Sequence, residues 1–200
     1  MNQSTQFFKS RVLELTFAAA VFILTLTIIH SCNNSKPEDT KKVAEEHNEA
    51  KFDNAKEDDA KFLVSAAEIN LEEIQLGKLA QSNSMNADVK SLGKMMETEH
   101  SKALADLQKL ATKKQITIPS TLTDEGMSAS KKLMDKKESK FDKEYCDMMV
   151  NGHKDAISKF EKASTNATDP EIRNWAASML PTLRTHLDHS ITCQKQCEKM

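Results

Sequence analysis

Apolar residues recur at spacings of three, four or seven along most of this chain, a pattern that predicts four long helices. The first covers about 57–81, with Phe62, Ala66, Ile69, Leu76 and Ala80 on one stripe. Asn86-Ala87-Asp88 caps the second, which carries Val89, Leu92, Met96, Ala103, Leu107 and Leu110 on one face. A third covers about 138–164 through Phe141, Tyr145, Met149, Ile157 and Phe160. Asp169-Pro170-Glu171 starts the fourth as cap, first-position proline and first-turn acid, followed by Ile172, Trp175, Met179, Leu183 and Leu187. Pro181 is expected to kink that helix. Glycine is scarce and no alternating run of β-branched residues reads as a strand, so the fold class is all-α.

The connections set the expected topology. The first and second helices, and likewise the third and fourth, are joined by only a few residues, so each pair forms an antiparallel hairpin. Between the pairs lies a link around 116–130 with room for a short helix. Extended at roughly 3.3 Å per residue it reaches farther than the long helices at roughly 1.5 Å per residue. A full-length crossover is permitted, and two hairpins joined by such a crossover make the ferritin-like four-helix bundle.

The N-terminal pattern is different. Lys9 and Arg11 precede an uninterrupted apolar run over 15–29, and Ile29-His30-Ser31-Cys32 sets a small residue before a cysteine. The run is shorter than the roughly 20 residues of a spanning helix and reads as a lipoprotein signal peptide, 1–31, with Cys32 as the lipidated residue. Cleavage there would anchor the chain by lipid in a bacterial cell envelope, on the periplasmic side or the outer membrane. An uncleaved signal anchor is the other reading. Residues 32–59 carry dense charge of both signs and almost no large apolar residues, so they are expected to be a tether, partly helical at best. The bundle would occupy 60–200.

The formal charge is −2, with both signs well mixed. Nucleic acid as a partner calls for a basic face, which this sequence lacks. It also lacks a glycine-rich phosphate loop and a nucleophile elbow, so an enzyme of those classes is not indicated.

Chemistry can come from polar residues in phase with the apolar stripes. His100, His153 and His186 fall at core positions, one on each of the last three helices. Met96 and Met149 each precede a histidine by four residues and share its helix face. Glu97-x-x-His100 has the spacing of di-iron bundles, but His186-x-x-His189 replaces the second copy, which argues against a di-iron oxidase. Residues equidistant from a hairpin turn lie side by side. His153 and His186 are equidistant from the Asp169-Pro170 turn, and so are Cys146 and Cys193, about 10.5 Å further along. In the first hairpin Glu68 faces His100 if the turn is centred on Ser84, and Glu73 lies on the same stripe. Imidazole suits copper, zinc or iron. The competing reading is a hydrogen-bonded structural network with no metal.

With Cys32 lipidated, three cysteines remain. A Cys146–Cys193 disulfide is expected, with Cys197 as the alternative partner. His189, Cys193 and Cys197, at i, i+4 and i+8, are a candidate soft-metal clip.

The runs FLVSAAEINLEEIQLGKLA (62–80), KMMETEHSKALADLQKLATKK (94–114), FDKEYCDMMVNGHKDAISKFEKAS (141–164) and LPTLRTHLDHS (180–190) resemble the bacterial DUF4142 family. The resemblance covers about 60–189. It implies an exported ferritin-like four-helix fold with no assigned activity. The methionine four before a histidine and the acid at Glu73 match the family pattern. Two functions follow as expectations: a lipid-anchored envelope protein holding a transition metal through core histidines, or a non-catalytic, stress-related interaction module without metal.

Overall fold

The computed structural model describes residues 38–199, and every regular element among them is helical. The order is α1 (Thr40–Glu49), α2 (Asn54–Asn83), α3 (Ala87–Lys114), α4 (Asp124–Met134), α5 (Ser139–Asn166) and α6 (Pro170–Cys197). The expected signal peptide, 1–31, and Cys32 lie outside the described residues. No helix among those described is long and apolar enough to cross a membrane.

The starts of α3 and α6 are where side-chain chemistry places them. Asn86 accepts from the Asp88 and Val89 amides at the head of α3, and α3 ends where Gln115 turns left-handed at φ 57°. Asp169 accepts from Glu171 and Ile172 ahead of Pro170, so all three residues of the expected α6 start serve as read. Pro181 sits inside an uninterrupted α6.

Helix α2 packs on α3 and α5 on α6, while α2 also lies against α5 and α3 against α6. Both hairpins are antiparallel. In the second, His153 meets His186 and Cys146 meets Cys193. In the first, Gly77 abuts Gly93: a β-carbon on Gly93 would come within 2.7 Å of the Gly77 carbonyl oxygen and 2.8 Å of Ala80 Cβ. Backbone cannot retreat as a side-chain tip can, so Gly93→Ala must part α2 from α3. A loss of about 1–3 kcal/mol is expected in chemical denaturation, and an unchanged midpoint would refute the close-packing account.

The buried apolar residues form two clusters. One gathers Leu63, Leu107, Phe160, Ile172 and Leu183 with Phe62 and Trp175 against them. Its aromatic rings are 5.1–6.0 Å apart, centroid to centroid. The other gathers Leu76, Leu92, Met96, Phe141, Tyr145 and Met149 with Cys146, Cys193 and Cys197. On each long helix a buried polar residue falls between the two: Asn70 and Glu73 on α2, His100 on α3, His153 on α5, His186 on α6. The bundle therefore carries a polar layer between two apolar ones.

The stretch expected to be a tether contains α1, which is docked. Its apolar content is too small for independent folding, but Asn48 donates to the Thr117 carbonyl at 2.8 Å and accepts from the Thr117 amide at 2.9 Å. Thr40 donates to the Thr121 carbonyl and Lys41 pairs with Glu68 at 2.8 Å. Polar pairing with a neighbouring strand of loop does here what an apolar face does elsewhere. At the far end Asp59, itself buried, accepts from the Thr168 and Asp169 amides, both at 2.8 Å, and ties α2 to the α5–α6 turn.

Candidate metal centre

The polar layer is built by three imidazoles from three helices. His100, His153 and His186 are 3%, 1% and 2% exposed. Their ring centroids are 5.1–5.5 Å apart, and one ligand nitrogen from each lies within 4.8 Å of the others. His153 Nε2 and His186 Nδ1 are 3.3 Å apart.

The hydrogen bonds around the cluster fix which nitrogen of each ring carries the proton. His153 Nδ1 is 2.8 Å from the Met149 carbonyl oxygen, one turn back on α5, and a carbonyl only accepts. Nδ1–H therefore donates, and Nε2 is a bare lone pair. His186 Nε2 is 2.9 Å from Glu99 Oε2, a half-exposed carboxylate, so Nε2–H donates and Nδ1 is bare. His100 Nδ1 is 3.0 Å from Asn70 Oδ1. The Asn70 amide is oriented because its nitrogen donates to the Ala66 carbonyl at 2.7 Å, which turns the oxygen toward the histidine. His100 Nε2 is then a buried lone pair with no protein partner. Every outward nitrogen is engaged by an acceptor, and three inward lone pairs remain.

Charge on these rings is disfavoured. Burial holds His100 well below the usual imidazole value, helped by His153 and His186. Burial brings His153 to about 4, against the Met149 carbonyl that raises it. Burial also lowers His186, with Glu99 opposing. At neutral pH the 3.3 Å contact thus sets two lone pairs against each other, which is repulsive unless a cation lies between. A tetrahedral ion with nitrogens at 2.0–2.1 Å spaces them about 3.3 Å apart. A cavity of about 10 Å³ adjoins the cluster, lined by His100, His186, Glu99, Asn70 and Trp175 among others.

The other sequence candidates fall elsewhere. Glu68, expected opposite His100, accepts from Thr123 Oγ1 at 3.0 Å and pairs with Lys41. The turn is centred one residue later than supposed, on Met85 between the extended Ser84 and the cap Asn86, which moves the level partner of His100 from Glu68 to Asn70. Glu97 faces outward to Gln81 at 2.9 Å and Lys94 at 3.3 Å. Glu99, two residues on, is the acid that reaches the cluster, and helical spacing relative to His100 gives no sign of it because its partner is on α6. Glu73 Oε1 approaches His153 Nδ1 at 3.7 Å from the outer side, too far for a hydrogen bond. Burial, then the Glu72 charge, raises its pKa well above the usual range, so this is a contact of two neutral groups. Met96 and Met149 are buried in the apolar cluster with the cysteines, and Met149 serves the site through its carbonyl.

Cys146 and Cys193 do face each other, with sulfurs 3.1 Å apart as free thiols, and Cys197 Sγ is 3.8 Å from Cys146 Sγ. His189 is not part of that group.

No curated protein and no solved structure matches the chain. The family profile described as "Domain of unknown function (DUF4142)" matches residues 43–192 of the 200. All three histidines, Asn70 and Glu99 lie inside that span, and the chain belongs to the DUF4142 family.

Proposed function

We propose that this domain holds one transition-metal ion through His100, His153 and His186, as a binding rather than a catalytic module. The observation that carries the reading is the set of outward acceptors, Asn70 Oδ1, the Met149 carbonyl and Glu99 Oε2. Metal-bound histidines almost always donate their other nitrogen to such a partner, which fixes the tautomer and raises ligand basicity. Three neutral imidazoles with no carboxylate among the ligands favour zinc or copper over iron. The depth of the rings supports holding over turnover, since a reacting substrate would need a position open to solvent.

A second reading is a metal-free network in which one proton bridges His153 and His186. It accounts for the 3.3 Å contact and leaves His100 Nε2 without a partner. Titration with Co(II), a spectroscopic stand-in for Zn(II), decides between them. One equivalent per chain with the intense visible absorption of a low-coordinate site, displaced by Zn(II), is expected. Absence of uptake by the untagged, folded chain would leave the proton network.

The same proposal includes a ferritin-like crossover and a lipid anchor. The crossover is supported by the shared level of His100, His153 and His186, together with the Lys114–Asp169 ion pair at 2.5 Å. Going on from the histidines, α3 and α5 both approach the α5–α6 turn, which makes them parallel. The anchor is supported by the basic, apolar and small-residue sequence before Cys32. An intact-mass measurement that finds Cys32 unmodified in the membrane fraction would remove that part.

A further inference from the structure

We propose that Cys146, Cys193 and Cys197 form a second, independent metal site, a three-sulfur seat for a single Cu(I) ion. One cysteine comes from α5, and the other two lie one turn apart on the same face of α6. The three sulfurs all lie within 4.8 Å of one another, with Cys146 at 3.1 Å from Cys193 and 3.8 Å from Cys197. An ion about 2.3 Å from each sulfur in a trigonal arrangement needs them about 4.0 Å apart. The sulfurs reach that spacing by moving less than about 1 Å, which side-chain rotation supplies.

The donor set chooses the ion. Thiolate sulfur selects soft metals, and tetrahedral zinc wants a fourth ligand. Among the described residues no further histidine, cysteine, aspartate or glutamate joins the three. The surrounding cluster consists of Leu76, Leu92, Phe141, Tyr145 and the thioethers of Met96 and Met149, apolar and soft. A low-coordinate Cu(I) ion fits that environment, in which all three cysteines are buried. A surface hollow of about 250 Å³, lined by Asp88, Met95, His189 and Cys193 among others, gives a way in.

No electron is transferred on binding. Each sulfur that ligates as thiolate releases its proton to solvent, and the ion takes its place. The three thiols do not hold their protons alike: Cys146 is raised by donating to Cys193 and by burial, burial pushes Cys197 up to about 11, and the bond received from Cys146 lowers Cys193. Because ligation requires thiolate, protons compete with the ion and loading weakens as pH falls. A Cys146–Cys193 disulfide would consume two of the three ligands and is the competing fate of the same atoms.

The test is an anaerobic titration of the phosphine-reduced chain with Cu(I) against a chromophoric Cu(I) chelator. One equivalent should bind with ultraviolet thiolate-to-copper absorption, a signature the histidines cannot produce, and three thiols should become unreactive together. The near-isosteric Cys146→Ser and Cys193→Ser variants should bind on the order of 100-fold more weakly or worse, since losing a ligand exceeds the 10- to 100-fold cost of an outer-shell contact. His153→Ala should leave this absorption intact. Copper uptake without the sulfur absorption, preference for Zn(II), or a Cys146–Cys193 disulfide that persists in the reduced preparation would each overturn the proposal.

Discussion

His153→Ala is expected to abolish stoichiometric uptake of Co(II) or Zn(II), because it removes one of only three imidazole ligands, the one 3.3 Å from His186 Nδ1. The full effect should exceed the roughly 10- to 100-fold loss typical of an outer-shell partner, and that comparison can be made within this protein. Asn70→Ala leaves all three imidazoles in place and frees His100 Nδ1 from the acceptor 3.0 Å away, so His100 can present either tautomer. Its affinity should fall by about 10- to 100-fold. Glu99→Gln keeps an acceptor for His186 Nε2 but removes the charge, and should cost less than Asn70→Ala. The order His153→Ala, Asn70→Ala, Glu99→Gln in calorimetric affinity, with helical content retained by circular dichroism, is the expected result. Equal uptake by the wild type and His153→Ala would show that the histidines are not the ligands.

Why the sequence yields the histidines and not their partners is a matter of register. The α5–α6 turn has one unmistakable start, Asp169-Pro170, so levels counted from it were right for both His153 with His186 and Cys146 with Cys193. The α2–α3 turn, with Ser84 and Asn86 on either side of Met85, offers two residue types that both end helices well. A one-residue error in its centre displaces the level partner by two, from Asn70 to Glu68. Glu99 was hidden for another reason. Periodicity on one helix identifies neighbours three and four residues away, whereas Glu99 acts across to α6. Helix α1 lacked the apolar stripe by which helices are recognised, since Asn48 pairing with the Thr117 backbone holds it in place. The four long helices had an apolar stripe, and α3 and α6 a capping side chain as well, which made them legible.

Acid is expected to unfold the metal-free domain well before an ordinary helical bundle of this composition, in a window set by the histidines. His153 titrates near 4 in the fold and about 6.5 when unfolded, so the unfolded chain binds protons more readily. Stability is fully present above about pH 6.5 and is lost as pH falls toward 4, by about 3 kcal/mol from His153 alone. His100 and His186 are lowered as well and act in the same direction. Glu73 has the opposite sign. Its carboxyl is raised by burial, so its contribution is fully present below the usual carboxylate value and is lost as pH rises from there through the raised value. Glu73→Gln should therefore stabilise the domain at pH 7, lose stability more steeply than the wild type as pH falls, and show no advantage near pH 4. Bound metal requires neutral imidazoles, so Zn(II) should move the acid midpoint downward in the wild type and leave it fixed in His153→Ala. Denaturant midpoints at pH 7, 5.5 and 4.5, with and without Zn(II), measure all three effects. A midpoint flat from 7 to 4.5 in Glu73→Gln, where the opposing carboxyl is gone, would mean that the imidazoles are already protonated or solvated in the fold, and the buried neutral cluster would have to be abandoned.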